Sequence, residues 1–285
     1  MTISIREVRA EDAPELGRIA YEAFAAIANA HNFRPDFADV QQAAAVIGTM
    51  AGAPGIFAVV AEDGGRAVGS NFMHEYNPVC GIGPITVDPH AQNKGVGRVL
   101  MKAALDRAAS QGRLAVRLVQ AGYHTRSLSL YSTLAFEVRE HLSCFQGNAI
   151  KETIPGLDVR PATEADIPAC NALCRRVHGV DRRGDVAHAV DRGSGRVVVR
   201  RDRITGYTSG IAFFGHTVGE TPEDVKALIA AADAFGGPGF LVPSRNGELM
   251  RWCLSKGLRV TQPMTLMTIG LYSEPEGAWL PSVIY

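Results

Sequence analysis

No stretch of about 18 apolar residues occurs in the chain, so nothing in it reads as a helix that spans a bilayer. The opening segment, Met1 to Glu7, lacks the apolar core of a secretory signal. Surplus charge is missing too: 29 Lys and Arg balance 29 Asp and Glu. No basic excess points to nucleic acid or an anionic membrane as a partner. Cysteine is scarce, and Cys80, Cys144, Cys170, Cys174 and Cys253 include no C-x-x-C pair. Their odd number and scatter argue against both a disulfide framework and a zinc site. Cys170 and Cys174, one helical turn apart, are expected as small core residues. Together these absences predict a reduced, cytoplasmic, globular protein. At 285 residues it holds one large or two medium domains, given roughly 100–200 residues per domain.

The most informative stretch runs from Val87 to Leu100, V-D-P-H-A-Q-N-K-G-V-G-R-V-L. An apolar run, Ile82 to Val87, precedes it. An amphipathic pattern follows, with apolar residues at Val96, Val99, Leu100, Ala103, Ala104 and Ala108. That spacing lays one stripe along a helix, and Gly112 is its expected C-cap. Strand, glycine turn and helix in this order aim free backbone N–H groups and the positive end of a helix dipole at one point. Gly95 and Gly97 carry no side chain to block an approaching ligand. The segment therefore reads as a pyrophosphate cradle.

Three cradle patterns compete. A Walker loop fails because Lys94 precedes its glycine, and a dinucleotide fingerprint fails because the third glycine is missing. The pattern Q/R-x-x-G-x-G/A is met at every position by Gln92-Asn93-Lys94-Gly95-Val96-Gly97. Here the chain resembles the GCN5-related N-acetyltransferase (GNAT) superfamily, whose members bind acetyl-CoA through this loop. The resemblance implies acetyl-CoA as co-substrate. It would be held by Gln92, Asn93, Lys94, Gly95, Val96, Gly97 and Arg98. It also implies that backbone groups of Ile85, Thr86 and Val87 meet the pantetheine amides as an added strand would.

The chain also repeats itself. Ile3, Ile5, Arg6, Asp12 and Pro14 recur as Leu157, Val159, Arg160, Asp166 and Pro168 at one constant offset. Each copy reads as a short strand followed by an acidic helix start with Pro in its first turn. Two tandem domains of one fold follow, at residues 1–148 and 155–285, with a linker near 150–156. The first half reads as strand 3–8, helices 13–30 and 38–50, strands 56–62, 66–76 and 81–87, and the cradle helix. Strand 114–120, helix 125–134 and strand 136–145 complete it. The expected class is α/β (α+β): two GNAT-like domains, each a mixed, mostly antiparallel sheet with helices on both faces. In the second half, strands are expected at 196–202 and 204–214. There the cradle is replaced by residues 218–228, where Glu220, Glu223 and Asp224 crowd the helix start. Acids suit a helix dipole but repel a phosphate. The second domain is expected to lack a CoA site.

Residues His124 to Phe136 resemble the family motif N-x-x-A/S-x-x-x-Y-x-x-x-G-F. Ser127, Tyr131 and Phe136 fit; His124 replaces Asn and Ala135 replaces Gly. The resemblance implies that Ser127 lies at the cofactor and that Tyr131 protonates the leaving thiolate, a step the chemistry requires. The counterpart of Tyr131 in the second half is Cys253. The strand before the cradle carries no carboxylate, so the general base falls to Glu75, with His74, the Tyr285 carboxylate or water as alternatives. His31, Phe33, Arg34 and Phe37 occupy the loop that helps line the acceptor site in the family.

The reading is an N-acetyltransferase moving an acetyl group from acetyl-CoA to a small-molecule or peptide amine by direct transfer in a ternary complex. A non-catalytic acyl-CoA sensor and an O-acetyltransferase are the alternatives. No nucleic acid, membrane or metal is expected, and the protein would be a monomer or homodimer.

Overall fold

The computed structural model describes residues 3–284. The chain begins with strand β1 (Ile3–Glu7), a 3-10 turn (Ala10–Asp12), helix α1 (Ala13–Ala30) and helix α2 (Val40–Met50). Strands β2 (Ile56–Asp63), β3 (Arg66–His74) and β4 (Val79–Val87) lead to helix α3 (Val96–Ser110). Strand β5 (Ala115–Ala121), helix α4 (Thr125–Thr133) and strand β6 (Glu137–Gln146) follow. Most of these bounds lie within two residues of the expected ones.

The second half repeats the opening order: β7 (Asp158–Pro161), a 3-10 turn (Glu164–Asp166), α5 (Ile167–His178), α6 (Arg183–Asp191), β8 (Arg196–Arg200) and β9 (Arg203–Thr208). It then runs through β10 (Thr217–Gly219), α7 (Pro222–Ala230), β11 (Phe240–Pro243), α8 (Gly247–Ser255), β12 (Arg259–Gly270) and β13 (Ala278–Leu280). The strand expected over 204–214 stops at Thr208. Beyond it Ser209 turns back on His216: Ser209 N donates to the His216 carbonyl at 2.9 Å, and His216 N donates to Ser209 Oγ at 2.8 Å.

The repeated residues form one device used twice. Arg6 grips both oxygens of Asp12 at 2.7 and 2.8 Å, and Arg160 grips Asp166 at the same two distances. Each Asp also accepts the backbone N–H three residues before it, at 2.8 Å in both copies. The strand is thereby clasped to the start of the helix that follows it.

Eight strands form the larger sheet, in the order β1-β2-β3-β4-β5-β12-β6-β11, and five form the smaller, β13-β10-β9-β8-β7. The larger sheet thus takes β11 and β12 from beyond the 150–156 segment. Strand β12 lies between β5 and β6, antiparallel to both. Alternating residues of β3 serve opposite faces, as a strand dictates. Phe72 packs under α1 and α2 with Leu16, Ile19 and Ile47, while Met73 packs under α3 with Met101, Ile82 and Leu118. All five cysteines are free and buried. No helix among the described residues is long and apolar enough to cross a membrane.

Candidate active site

Strands β4 and β5 run parallel but pair only over Val79–Ile82 and Ala115–Leu118. Beyond that point they part. A register shift between β3 and β4 falls between the pairs Asn71–Ile85 and Met73–Ile82, so β4 carries one extra residue around Gly83 and Pro84. Such a bulge bends a strand away from its neighbour. The edge of β4 from Gly83 to Val87 is left facing a cleft of about 400 Å³, with Leu118 to Ala121 of β5 across from it. Backbone donors and acceptors on an open strand edge are ready for an extended polar chain.

At one end of this cleft stands the N-terminus of α3. Asn93 and Gly95 take left-handed backbone conformations, with φ of 62° and 83°, which folds the loop back over the helix start. Gly95 is the N-cap and has no side chain to satisfy the first-turn N–H groups. Those groups and the helix dipole face the space that Gly95 and Gly97 leave open. The Gln92 amide ties the loop down, donating to the Val87 carbonyl at 3.2 Å and accepting from Arg126 at 2.7 Å. Among the described residues no side chain caps the cradle's helix start. Its free donors, positive dipole and glycine clearance fit a pyrophosphate.

The second half offers the same place and closes it. Only two residues separate β10 from α7, so the loop that forms the cradle is gone. Asp224 is fully buried and accepts from Thr221 N at 2.9 Å, Thr221 Oγ1 at 2.8 Å, Thr205 Oγ1 at 2.6 Å and Arg200 at 3.0 Å. The helix start is capped from within. Strand β13 then pairs antiparallel along β10, from Thr217–Leu280 to Gly219–Ala278, where β4 in the first half stays open.

Of the residues singled out by sequence, Ile85, Thr86, Val87, Gln92, Asn93, Gly95, Val96, Gly97, Arg98, Ser127 and Tyr131 all line the cleft. Lys94 does not; its ammonium donates to the His90 carbonyl at 3.0 Å on the outside. Glu75 is also elsewhere. It sits on the α3 face, bonded to Arg107 at 3.1 and 3.2 Å. Arg107 is ten residues beyond Gly97, about 15 Å along the helix from the cradle. The reason is strand alternation: Glu75 follows His74, and the two point to opposite faces. His74 lies in a neighbouring cavity, with Nε2 3.2 Å from the Gly83 carbonyl. Tyr285 lies outside the described residues.

Tyr131 is buried on α4, edge-on to Phe136, with its ring in the cleft wall. Burial pushes its phenol up to about 12, and Ser127 beside it pulls the other way. The group therefore keeps its proton at any working pH and is a donor. His124 caps α4: its Nδ1 accepts from Ser127 N at 3.2 Å. Nδ1 is thereby committed as an acceptor, so in the neutral ring Nε2 carries the proton. Burial first, and Arg126 second, hold its pKa below the ordinary histidine value. His124 is a helix cap and offers no free acceptor to the cleft. Asn246 does the same for α8, accepting from Leu249 N. Cys253 stands seven residues after Asn246, as Tyr131 stands seven after His124. Ala135 and Gly257, eleven after each cap, share a left-handed conformation.

Sequence reasoning passed over Asp36, which lies in the α1–α2 loop and lines the cleft. It also missed Phe213, Phe214, Gly237, Pro238 and Met264 of the second half, whereas Val283 and Ile284 belong to the C-terminal segment whose apolar character and Tyr285 carboxylate point to the cleft. Asp36 left one signal in the sequence: with Asp39 it is one of two carboxylates in the loop that carries Phe33 and Phe37. The missed second-half residues left none, because their place depends on how the two halves interleave.

Residues 16–136 match the family model of the acetyltransferase (GNAT) family. No curated protein matches the sequence. Among solved structures, the chain is similar to a candidate acetyltransferase of Pyrococcus horikoshii, at 15% identity and a TM-score of 0.72, over 99% of this chain and 92% of that one. It is similar to a GCN5-related N-acetyltransferase of Sphaerobacter thermophilus, at 15% identity and a TM-score of 0.62, over 95% and 96% of the two chains. A tandem GNAT protein from the clavulanic acid biosynthesis pathway aligns at 11% identity and a TM-score of 0.56, over 94% and 98%. These likenesses extend the fold over both halves. Strands β4 and β5, the uncapped helix start and the buried tyrosine all fall within the matched segment. Through residues 16–136, which carry β4, the cradle and Tyr131, the chain matches the acetyltransferase (GNAT) family.

Proposed function

We propose that the protein is an N-acetyltransferase that uses acetyl-CoA and passes the acetyl group directly to an amine within a ternary complex. The observation that carries this reading is the convergence, in one cleft, of an open strand edge, an uncapped helix N-terminus and a buried phenol. The N–H groups at the start of α3 would hold the pyrophosphate, with Gln92, Asn93, Val96 and Arg98 around them. The β4 edge at Ile85, Thr86 and Val87 would hold the pantetheine amides. Acetyl-CoA supplies an activated thioester. The residues of this chain exclude water, orient the reactants and manage protons.

Tyr131 serves the departing sulfur. A phenol near 12 yields its proton reluctantly to a thiolate whose ordinary pKa is about 8.5. Its first contribution is a hydrogen bond that spreads the developing negative charge. Transfer is completed as the attacking nitrogen sheds a proton that restores the phenol. No cysteine nucleophile is needed, and none of the five lines the cleft.

The test follows thiol release from acetyl-CoA with a panel of primary amines, peptides with free N-termini, and alcohols. Release that depends on an amine supports the proposal. Binding of acetyl-CoA without release from any acceptor would leave a binding module, and release with alcohols alone would leave an O-acyltransferase. Tyr131→Phe retains the ring. Acetyl-CoA affinity should stay near wild type while turnover falls on the order of 10²-fold, the lower end for general acid catalysis. Full activity in Tyr131→Phe across the pH range would reduce the tyrosine to a packing residue.

A further inference from the structure

Asp36 is a half-buried carboxylate in the wall of the cleft. Its side-chain partner is Gln262, whose Nε2 donates to Oδ1 at 3.2 Å. Gln262 in turn accepts from the Tyr123 hydroxyl at 3.4 Å, and Tyr123 is stacked flat on Phe33 at 4.2 Å. The carboxylate is therefore fixed by a neutral amide that reaches it from β12. Among the described residues no lysine or arginine pairs with it. The ionisable groups that feel its charge are Tyr123 and Cys144. Burial raises them to about 12 and about 11, so both are neutral near pH 7. A desolvated carboxylate with one neutral donor lacks a counter-charge, and buried charges in proteins are ordinarily paired.

The surroundings say what that counter-charge is attached to. Phe24, Ile27, Phe37 and Val46 line the cleft, together with Phe214 and Ile284 of the second half. These walls accept an apolar body. A free carboxylate beside the acceptor's amine would meet the like charge of Asp36.

We propose that Asp36, positioned by Gln262, is the anchor for the acceptor's ammonium, and that the acceptor is a cationic primary amine on an apolar body. This rests on the acetyl-transfer reading and names the substrate class for it. Asp36 also has a use after binding. An ammonium must lose a proton before its nitrogen has a lone pair to offer, and burial raises the Asp36 carboxyl towards accepting it.

Calorimetric titration of 2-phenylethylamine and of neutral 2-phenylethanol into the full chain saturated with CoA tests the proposal. The amine should bind roughly 10- to 100-fold more tightly than the alcohol, the factor a charge-assisted hydrogen bond supplies. Asp36→Asn, isosteric and in a loop, should bring the amine down to the level of the alcohol while CoA affinity stays unchanged. Equal binding of amine and alcohol by the wild type, no amine binding, or full amine affinity in Asp36→Asn would each overturn it. The comparison of the two probes needs no variant, so a folding defect in Asp36→Asn does not decide the outcome. Failure of CoA to bind would sink the acetyl-transfer reading instead. The two amine arms can still be run on the unliganded chain.

Discussion

At the scale of single residues, the cradle glycines are not equivalent. Gly95 has open space around it but sits at φ +83°, where any side chain is strained. Its replacement confounds lost ligand binding with lost stability. Gly97 has an ordinary backbone, and an added Cβ would meet the flexible end of Leu130 at 3.2 Å. Gly97→Val is therefore the cleaner probe: the pattern admits alanine here, but a β-branched side chain reaches into the pyrophosphate space, so acetyl-CoA affinity should fall at least about tenfold while the melting temperature moves little. Calorimetry that finds unchanged affinity would remove this loop from the binding site. Ala135 presents the opposite case. It holds φ +67°, whereas Gly257 fills the matching position of α8. A non-glycine residue there costs about 1–2 kcal/mol, partly offset by the entropy a glycine loses on folding. Ala135→Gly should stabilise the chain by roughly 0.5–1 kcal/mol in denaturant unfolding, and a lower midpoint would contradict it.

At the scale of elements, the contrast between α3 and α7 makes a prediction about stoichiometry. Helix α3 leaves its first turn uncapped, whereas Asp224 consumes the cap of α7 and β13 covers the edge of β10. Titration should find one acetyl-CoA per chain, and two equivalent sites would refute this. The strand–helix clasps give a pH prediction. Arg160, its largest cause, holds the Asp166 carboxyl below its ordinary 3.8, as Arg6 does for Asp12. A lowered folded-state pKa stabilises above the unfolded value, and that contribution is lost as pH falls through the folded one. Arg160→Met should thus lower the melting temperature near pH 7, and the gap from wild type should narrow below about pH 4. A gap constant with pH would mean that the clasp contributes packing alone. Elements of this kind were legible in the sequence because their signals are local: the apolar period of α3, the N-cap and Pro that open helices, the repeated Arg and Asp. The strand expected over 204–214 failed for an equally physical reason. Apolar residues such as Ile211 and Phe213 serve the core there from a turn held by a single bridge, Ala212 to Gly236, and not from the antiparallel ladder of β9. Glu75 shows the remaining gap: its identity suggested a base, but only the course of the chain as it leaves β3 decides which face it serves.

At the scale of the whole molecule, the tandem arrangement is not two beads on a string. Strand β6 of the first half lies between β12 and β11 of the second, and β12 also covers the full edge of β5. The same crossing brings Gln262 to Asp36 and sets Phe214 and Ile284 in one cleft with Phe24 and Phe37. This accounts for a second half that has lost its own cradle yet keeps its fold: it completes the sheet and one wall of the site. A one-dimensional reading sees the repeat but not the exchange, because strand partners more than a hundred residues apart leave no local period. The consequence is testable. A fragment of residues 1–150 would expose both edges of β6 and the outer edge of β5, and unpaired apolar edges aggregate. It should be insoluble or unfold without cooperativity, and should not bind acetyl-CoA. Co-expression with residues 151–285 should restore a soluble pair with a single thermal transition and a working site. Were the 1–150 fragment alone to unfold cooperatively and bind acetyl-CoA as the full chain does, the second half would be an appendage and the shared sheet dispensable.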